Sequence, residues 1–511
     1  MIRAARNLSR LWTIARVLAR HDALDVVDLP IATLAARLLR LGQPPIHDGR
    51  PGQRLAAALT ELGPTFIKLG QALSTRADLL GEEMAADLSD LQDRLAPFPS
   101  HEARAIIAEE LAMPVEEAFS HFDDTPVAAA SIAQVHFAVT KDGHDVAVKV
   151  LRPGIDQAFK KDIDLLRWLA EWVELTQPRL RRLRMVESVE TFEESVVLEM
   201  DLRFEAAAAA ELSENFQGDD TFQVPEVDWT RTGKRVLTLE RVYGIPVDER
   251  EQIAAAGINL DEVLKKAAES FFNMVFRDGF FHADMHPGNL FVDRDGNLVA
   301  VDFGIMGRVD QRTRRFLGEM LLGFLNGNYR RVAEIHFEAG FVPADKNVDT
   351  FTQACRSIAE PIMGKPMHEI SIARLLGQLF QITEQFAMQT QPQLLMLQKS
   401  MLVAEGVGRR LDSSVNMWEM ARPLIESWMI DNLGPQARVK ETVVGAVHAL
   451  ERLPRMLAET EKAYTAMLNG GLKLHPDTMS AMRGEGGRRR GAPGWLPWVL
   501  AAVLAALLVL K

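Results

Sequence analysis

The 511-residue sequence contains a single cysteine, Cys355. An intramolecular disulfide is therefore impossible, and the chain suits a reducing compartment in which Cys355 is most simply a buried helix residue. The sequence also has no basic stripe and no sheet motif rich in stacking aromatics, and its formal net charge is −12. These absences exclude the usual signature of a nucleic-acid-binding protein.

Several cofactor signatures are missing as well. No G-x-G-x-x-G unit follows a strand, and no pattern of two histidines and one carboxylate is present, so the sequence indicates neither flavin nor non-haem iron. His282 and His286 have the i, i+4 spacing of a zinc pair, but Pro287 follows directly and no third ligand cluster occurs. The sequence therefore does not predict a zinc site.

The most informative pattern that is present begins at His282-Ala283-Asp284 and reaches Asn289. An apolar strand follows, and then Asp302-Phe303-Gly304. In protein kinases an aspartate placed like Asp284 orients a hydroxyl or water, and residues placed like Asn289 and Asp302 hold magnesium. The last tripeptide alone is weak, whereas the joint spacing is specific. The alternative is a polar turn in which Asp302 caps another element.

A lysine upstream fits the same chemistry. The alternation in residues 145–150 predicts a strand with Lys149 on the face opposite three valines. A lysine on a buried face is costly without a negative partner, and the phosphates of ATP would supply one. Residues 196–210 have the pattern of a helix on which positions 201 and 205 would share a face. We expect one carboxylate of this region to pair with Lys149, with Glu205 as the first choice and Glu199 as the second. The alternative is a solvated acidic helix face.

An alanine-rich loop, residues 127–135, precedes the lysine strand. Compared with the kinase pattern G-x-G-x-x-G-x-V, alanine stands at every glycine position and the valine is kept. The Cβ of alanine resists left-handed backbone angles and close approach to phosphate, so this loop should be stiffer than a glycine loop. The alternative is a packed strand of small residues. The candidate ATP-binding residues here are Val127, Ala128, Ala129, Ala130, Ser131, Ile132, Ala133, Gln134 and Val135.

Taken with these motifs, the chain resembles the UbiB family of atypical kinase-like proteins, which is tied to ubiquinone biosynthesis. Lys68-Leu69-Gly70-Gln71 resembles the K-x-G-Q motif of the family, and Glu199-Met200-Asp201 resembles its E-x-D motif. The resemblance implies that the K-x-G-Q segment covers the cleft, with Lys68 and Gln71 near Glu199 and Asp201. The alternative is an ordinary amphipathic helix on which Lys68 snorkels.

The expected fold is α+β, a helix-rich, bilobal protein-kinase-like fold. No A-P-E motif follows residues 302–310, and Ala283 replaces the usual arginine, so the platform that presents a peptide to a kinase is missing. We predict an N-terminal amphipathic helical region over 1–50, a helical K-x-G-Q extension over 51–120, a small lobe over 121–242, a helical large lobe over 243–470, a linker over 471–494 and a transmembrane tail anchor over 495–510.

Both ends of the chain suggest a membrane. Residues 1–20 contain five arginines and no acidic residue, which fits a basic helix lying on anionic lipid or an ordinary first helix packed on the domain. The apolar run over 495–510 would span roughly 24 Å as a helix, against a hydrocarbon core of about 30 Å. We predict a C-terminal anchor in a bacterial inner membrane, with the catalytic domain on the cytoplasmic side. A hydrophobic oligomer contact is the alternative.

The motifs and the resemblance together predict a membrane-associated, Mg²⁺-dependent, ATP-binding atypical kinase or ATPase that supports ubiquinone biosynthesis. The expected cofactors are ATP and Mg²⁺. The expected partners are membrane lipid, polyprenylphenol or quinone intermediates and other ubiquinone-biosynthesis proteins, with no nucleic acid. Two alternatives stay open, a nucleotide-switched lipid-binding module without catalysis and a genuine protein kinase.

Overall fold

The computed structural model describes residues 2–23, 49–74, 81–89, 91, 95–176, 184–362, 378, 381–383, 385–388, 392–411 and 417–433. Two compact units are present, one formed by Met1–Glu174 with Arg179–Trp428 and the other by Leu175–Pro178 with Met429–Lys511. The first unit contains every candidate site residue. The predicted linker and tail anchor lie outside the described residues. Within the described part of the chain, no helix has both the length and the apolar character needed to cross a bilayer.

Helices dominate the described chain. The helices are α1 Ile2–Arg20, α2 Pro51–Leu62, α3 Pro64–Ser74, α4 Glu82–Ser89, α5 Ser100–Leu111, α6 Val115–Ala118, α7 Ile155–Thr176, α8 Met185–Glu199, α9 Leu202–Asn215, α10 Arg250–Ala255, α11 Leu260–Phe272, α12 Gln311–Leu325, α13 Tyr329–Glu338, α14 Val348–Ala359, α15 Pro392–Leu411 and α16 Met417–Leu433. The strands are β1 Phe119–Phe122, β2 Ala128–Ala129, β3 Ala133–Thr140, β4 Asp145–Leu151, β5 Phe222–Gln223, β6 Val236–Glu240, β7 Ile245–Pro246, β8 Phe280–His282, β9 Leu290–Val292, β10 Leu298–Ala300 and β11 Met306–Arg308.

The predicted lysine strand is β4, at the centre of a five-stranded antiparallel sheet. The sheet order is β1-β3-β4-β6, and β2 pairs with β3. Val146, Val148 and Val150 are buried and form one apolar core with α5 and α6. Lys149 lies on the opposite face, because successive side chains of a strand alternate between its faces. Gly143 makes the β3–β4 turn with a φ of +90°, which glycine adopts without strain.

A pair of short strands supports the H-x-D and D-F-G segments. Strand β8 ends at His282 and pairs antiparallel with β11, so that Gly307 lies opposite Phe281. A Cβ on Gly307 would come within 2.1 Å of the Phe281 ring, which is fully buried. Glycine at position 307 therefore permits the close approach of these two segments, and a larger residue would force the Phe281 ring or the backbone to shift.

The segment 196–210, which we predicted to be helical, contains a break. Helix α8 ends at Glu199 and α9 begins at Leu202. Asp201 caps α9, because its side chain accepts a hydrogen bond from the Arg203 backbone N–H at 3.2 Å. Aspartate is among the preferred residues at this position. Glu199 and Glu205 therefore lie on separate helices, and the expectation that 201 and 205 share a face of one helix was wrong.

Helix α1 is packed on the protein. Ile14 joins an apolar cluster with Leu59, Phe66 and Leu165, which belong to α2, α3 and α7. Arg10 donates to both carboxylate oxygens of Asp162 at 2.7 and 2.9 Å. The structure thus shows the second alternative for residues 1–20, a first helix packed on the domain.

Helices α12, α14 and α15 follow the D-F-G segment in the chain. The first helix after the D-F-G segment is α12, which begins at Gln311 with Asp310 as its cap. Cys355 is buried on α14, as expected. The apolar stretch near residue 397 lies in α15, where Leu397, Val407 and Leu411 are buried.

Candidate active site

One cleft of about 3570 Å³ brings most of the candidate residues together. Its lining includes Lys68, Gln71, Val127, Ala128, Ala129, Ala130, Ile132, Ala133, Val135, Lys149, Glu199, Asp201, Glu205, Asp284, Asn289 and Asp302. Ser131 and Gln134 do not line it and are buried elsewhere. The side-chain amide of Gln134 is bonded to the backbone of Phe98, so the assignment of Gln134 to ATP binding stays a prediction without support from its side chain.

Lys149 is held between two carboxylates. Its Nζ donates to both oxygens of Glu205, at 2.7 and 2.9 Å, and to Oδ1 of Asp302 at 3.1 Å. The pairing with Glu205 is the one expected from the sequence. Glu205 also accepts the backbone N–H of Phe303 at 3.2 Å. Helix α9, strand β4 and the D-F-G segment therefore meet at one ammonium group.

The charges of this group depend on one another. Burial alone would lower the pKa of Lys149, but Asp302 and Glu205 raise it above its ordinary value. Partial exclusion of water from the cleft also opposes ionisation of Asp302, yet the Lys149 ammonium lowers the pKa of its carboxyl. Burial raises the pKa of Glu205, and the negative charge of Asp302 raises it further. The Lys149 ammonium lowers this pKa but does not cancel the other two effects. Glu205 is therefore the carboxylate of this group that takes up a proton more readily.

The backbone of Asp302 has a strained, left-handed conformation. Its φ is +67°, a left-handed value that few residues other than glycine, asparagine and aspartate adopt. Oδ1 of Asp302 accepts the Gly304 N–H at 3.2 Å, which supports this turn. The side chain is 47% exposed and faces the cleft. Strain of this kind is typical of functional sites.

The H-x-D segment is organised by its buried first residue, His282, which the sequence marked as part of the motif but to which it assigned no separate role. Nδ1 of His282 accepts the Asp284 N–H at 3.1 Å, so Nε2 carries the proton and donates to the Asp302 carbonyl at 2.8 Å. Burial lowers the pKa of His282 and keeps the ring neutral. This residue fixes the backbone on both sides of the site. In the sequence, the only indication of this role is the position of His282 two residues before Asp284.

Asn289 and Asp302 fit a hard divalent cation. The Asn289 amide donates through Nδ2 to the Asp284 carbonyl at 3.1 Å, which leaves Oδ1 as its coordinating atom. A carboxylate and an amide oxygen are ligands that Mg²⁺ accepts. Among the described residues, no group of three or more His, Cys, Asp or Glu side chains forms an all-protein metal site. A Mg²⁺ ion usually takes one or two carboxylates and completes its shell with water and phosphate.

The K-x-G-Q helix lies against the same cleft. Nζ of Lys68 is 2.8 Å from Oε2 of Glu199, and both side chains are largely buried. The Lys68 charge also helps to lower the pKa of Asp302. A Cβ on Gly70 would meet the side chains of Leu91 and Leu59 at 2.5 and 2.8 Å, so glycine permits close packing of α3.

Comparisons with known proteins agree with this geometry. Residues 90–336 match a family model described as the ABC1 atypical kinase-like domain, and residues 355–416 match the UbiB helical domain. A curated relative from Marinobacter nauticus, named "Probable protein kinase UbiB", is 42% identical over 461 residues, which cover 88% of this chain and 84% of the relative. The chain belongs to the UbiB family.

A second curated relative, also named "Probable protein kinase UbiB" and from Aeromonas salmonicida, is 40% identical over 511 residues. The match covers 98% of this chain and 93% of that relative. Among solved structures, the Rv3197–erythromycin complex from Mycobacterium tuberculosis has a TM-score of 0.53 and 24% identity, covering 77% of this chain and 98% of that one. This likeness shows the fold alone. The fold is kinase-like and helix-rich with mixed sheets, while the predicted lobe and extension boundaries stay predictions.

Proposed function

We propose that this UbiB-family chain is a Mg²⁺-dependent ATPase or phosphotransferase that supports ubiquinone biosynthesis. The observation that carries the proposal is the position of Lys149, whose Nζ lies within 3.1 Å of both Glu205 and Asp302 in one cleft. This is the arrangement of lysine, helix glutamate and metal-binding aspartate on which kinase chemistry depends.

Each charged residue then has a defined task. Lys149 would hold the phosphates of ATP, and Glu205 would keep its ammonium oriented toward them. Asp302 and Asn289 would hold Mg²⁺, which neutralises charge on the transferred phosphoryl group when it is bound. Asp284 would orient the attacking water or hydroxyl group from the same wall of the cleft.

The acceptor is proposed to be, or to lie close to, a polyprenylphenol. The cleft of about 3570 Å³ is much larger than the roughly 300–1000 Å³ of a usual small-molecule pocket. Part of its lining is apolar and comes from α3, α7, α8 and α15, through residues such as Leu69, Leu166, Val189 and Met396. A hydrophobic chain with a phenolic head group fits such a wall, and the name of the relatives supports a place in ubiquinone biosynthesis.

We further propose that the protein works at the bacterial inner membrane with its catalytic domain in the cytoplasm. The apolar run over 495–510 would be the anchor, next to Arg488, Arg489 and Arg490. Membrane lipid and other ubiquinone-biosynthesis proteins would be its partners there.

The test is ATP hydrolysis by the full-length chain in lipid nanodiscs, with Mg²⁺ and a phenolic head-group mimic. Asp302→Asn should lower turnover by about 10³-fold or more, because it removes the charge that holds the metal. Asp310→Asn is the matched control, since Asp310 only caps α12 and asparagine caps equally well. Equal turnover in wild type and Asp302→Asn would refute the proposal.

A nucleotide switch without catalysis is separated from this proposal by Asp284→Asn. The catalytic proposal expects this variant to retain nucleotide but to fail to restore quinone in a cell that lacks the chain. Full restoration by Asp284→Asn would instead favour the switch.

A further inference from the structure

A short segment that no motif includes is fastened across the alanine-rich loop. Residues 95–98, here called the strap, lie between α4 and α5. The N–H of Leu95 donates to the Ala129 carbonyl at 3.3 Å. Leu95 also packs against the apolar cluster that contains Ile67 and Leu91, so the strap is itself fixed to the helices around the K-x-G-Q motif.

Arg152 joins the strap to the loop. Its Nε and Nη2 donate to the Ala130 carbonyl at 3.0 and 2.8 Å, and Nη2 also donates to the strap carbonyl of Ala96 at 3.0 Å. The guanidinium lies 5.7 Å from the centre of the Phe98 ring. Hydrogen bonds from a charged donor are among the stronger ones in proteins, so this is a firm attachment of two backbone segments.

Gln134 makes a second attachment. Its Oε1 accepts the Phe98 N–H at 3.0 Å, and its Nε2 donates to the Phe98 carbonyl at 3.2 Å. The same Nε2 lies 2.9 Å from Nε2 of His136, whose Nδ1 donates to the Asp123 carbonyl at 2.8 Å. Gln134 is only 1% exposed, so water does not compete for the hydrogen bonds of its amide. A buried network in which each of these groups has a partner specifies one arrangement.

We propose that Arg152 and Gln134 are positioning residues that hold the alanine-rich loop in place by fastening it to the strap. The inference rests on the proposed function, since the loop would cover the nucleotide phosphates. Neither residue lines the cleft. They act through the backbone of Ala129 and Ala130, which lines the same cleft as Lys149, and so they should govern nucleotide release more than the chemical step.

The first measurement is amide hydrogen exchange of the nucleotide-free full-length chain in nanodiscs, followed in peptides that cover residues 127–133. Arg152→Gln should speed exchange there by roughly ten-fold or more, because the bonds to the Ala130 carbonyl are lost. Arg152→Lys should recover part of the protection, since an ammonium can reach one carbonyl but lacks the fork of a guanidinium. Gln134→Leu should also speed exchange.

Arg235→Gln is the matched control. Arg235 directly precedes strand β6 of the same sheet, and its Nε donates to Glu110 on α5 at 2.9 Å and not to the strap. Faster exchange in the loop that is as large in Arg235→Gln as in Arg152→Gln would overturn the proposal, because a general loosening of the sheet would explain it. Unchanged loop exchange in Arg152→Gln would overturn it as well.

The second measurement is the dissociation rate of a fluorescent ATP analogue with Mg²⁺, compared with steady-state turnover. Arg152→Gln should raise dissociation by about ten-fold and KM in parallel, with kcat changed about two-fold or less. A fall in kcat with unchanged dissociation would overturn the positioning role. If wild type binds no nucleotide while Arg152→Gln still frees the loop, the proposed function fails and the attachment of the loop stands.

Discussion

The two walls of the cleft hold their functional groups in different ways. The catalytic wall, residues 282–304, presents carboxylates and an amide, and it includes a strained residue at Asp302. The loop wall, residues 127–135, presents methyl groups and backbone, and it is fixed from behind by Arg152 and Gln134. The chemistry proposed for the first wall rests on side chains that face the cleft. The second wall depends on side chains that turn away from the cleft, so its properties must be tested through those supports.

The largest expected effect is at Asp302, where charge and backbone can be separated. Asp302→Asn and Asp302→Ala should each lower ATP turnover by about 10³-fold or more. Both variants lose the pair with Lys149, but Asp302→Ala should lower the free energy of unfolding by about 1 kcal/mol more than Asp302→Asn, because alanine resists a φ of +67° and cannot accept the Gly304 N–H. Turnover assays and urea titration measure the two effects. Equal stability of both variants would show that the strain at this residue has no energetic weight.

The packing behind the catalytic wall gives the next largest effect. Gly307→Ala should lower the free energy of unfolding by about 1–3 kcal/mol, because the new Cβ would overlap the buried Phe281 ring. Gly406→Ala is the control, since nothing lies within 4 Å of the Cβ position on that helix residue. That variant should be more stable by about 0.5–1 kcal/mol. A Gly307→Ala protein with wild-type stability would contradict the close strand pairing.

The loop wall should be sensitive to acid through His136. Burial lowers the pKa of this ring, so the folded protein holds it neutral while the unfolded chain binds a proton below about pH 6.5. The stability that depends on His136 is therefore complete above that pH and is lost as the pH falls, by about 1 kcal/mol between pH 7.5 and 5.5.

Urea titration at both pH values, in wild type and His136→Gln, isolates this contribution from those of the other histidines. His144→Gln, at an exposed site, should keep the wild-type pH dependence. If His136→Gln has the same pH dependence as wild type, the neutral state of His136 does not stabilise the loop wall.

The smallest expected effect is at Ala130. Ala130→Gly should lower the free energy of unfolding by about 0.5–1 kcal/mol and change nucleotide affinity or preference, because glycine frees the loop backbone. Ala138→Gly, at a buried position of the same sheet, should cost similar stability without changing nucleotide binding. Nucleotide binding that is identical in Ala130→Gly and Ala138→Gly would contradict the stiff-loop interpretation.

The sequence predicted the parts of the site that are specified by local pattern. The alternation around Lys149 placed it on the correct face of β4, and the spacing from Asp284 to Asp302 predicted that both would face one cleft. The choice of Glu205 as the partner of Lys149 agrees with the contacts, even though the helix in which it was placed is broken at Asp201. Aspartate is compatible with a helix interior and with a cap, so its identity alone could not decide between them.

The supports of the site could not be predicted in the same way. Gln134 lies in the loop motif, but its side chain turns inward to bond the backbone of Phe98. That partner is 36 residues away in the sequence, so no local pattern displays the contact. His282 was recognised as the first residue of the H-x-D pattern and by its spacing to His286, but its partners are backbone groups that the β8–β11 pairing brings to it. Such contacts depend on tertiary packing, which a single sequence does not display. The packing of α1 was open for the same reason.

The contact between Arg10 and Asp162 has a practical consequence for anyone preparing this protein. Trimming the chain ahead of residue 21 would leave the Asp162 carboxylate, 5% exposed, without its counter-charge. An orphaned interior charge of this kind costs about 3–5 kcal/mol, a large part of what keeps an ordinary domain folded. Shortened versions should therefore melt early or precipitate, and any inactivity they display would report on lost integrity and not on chemistry.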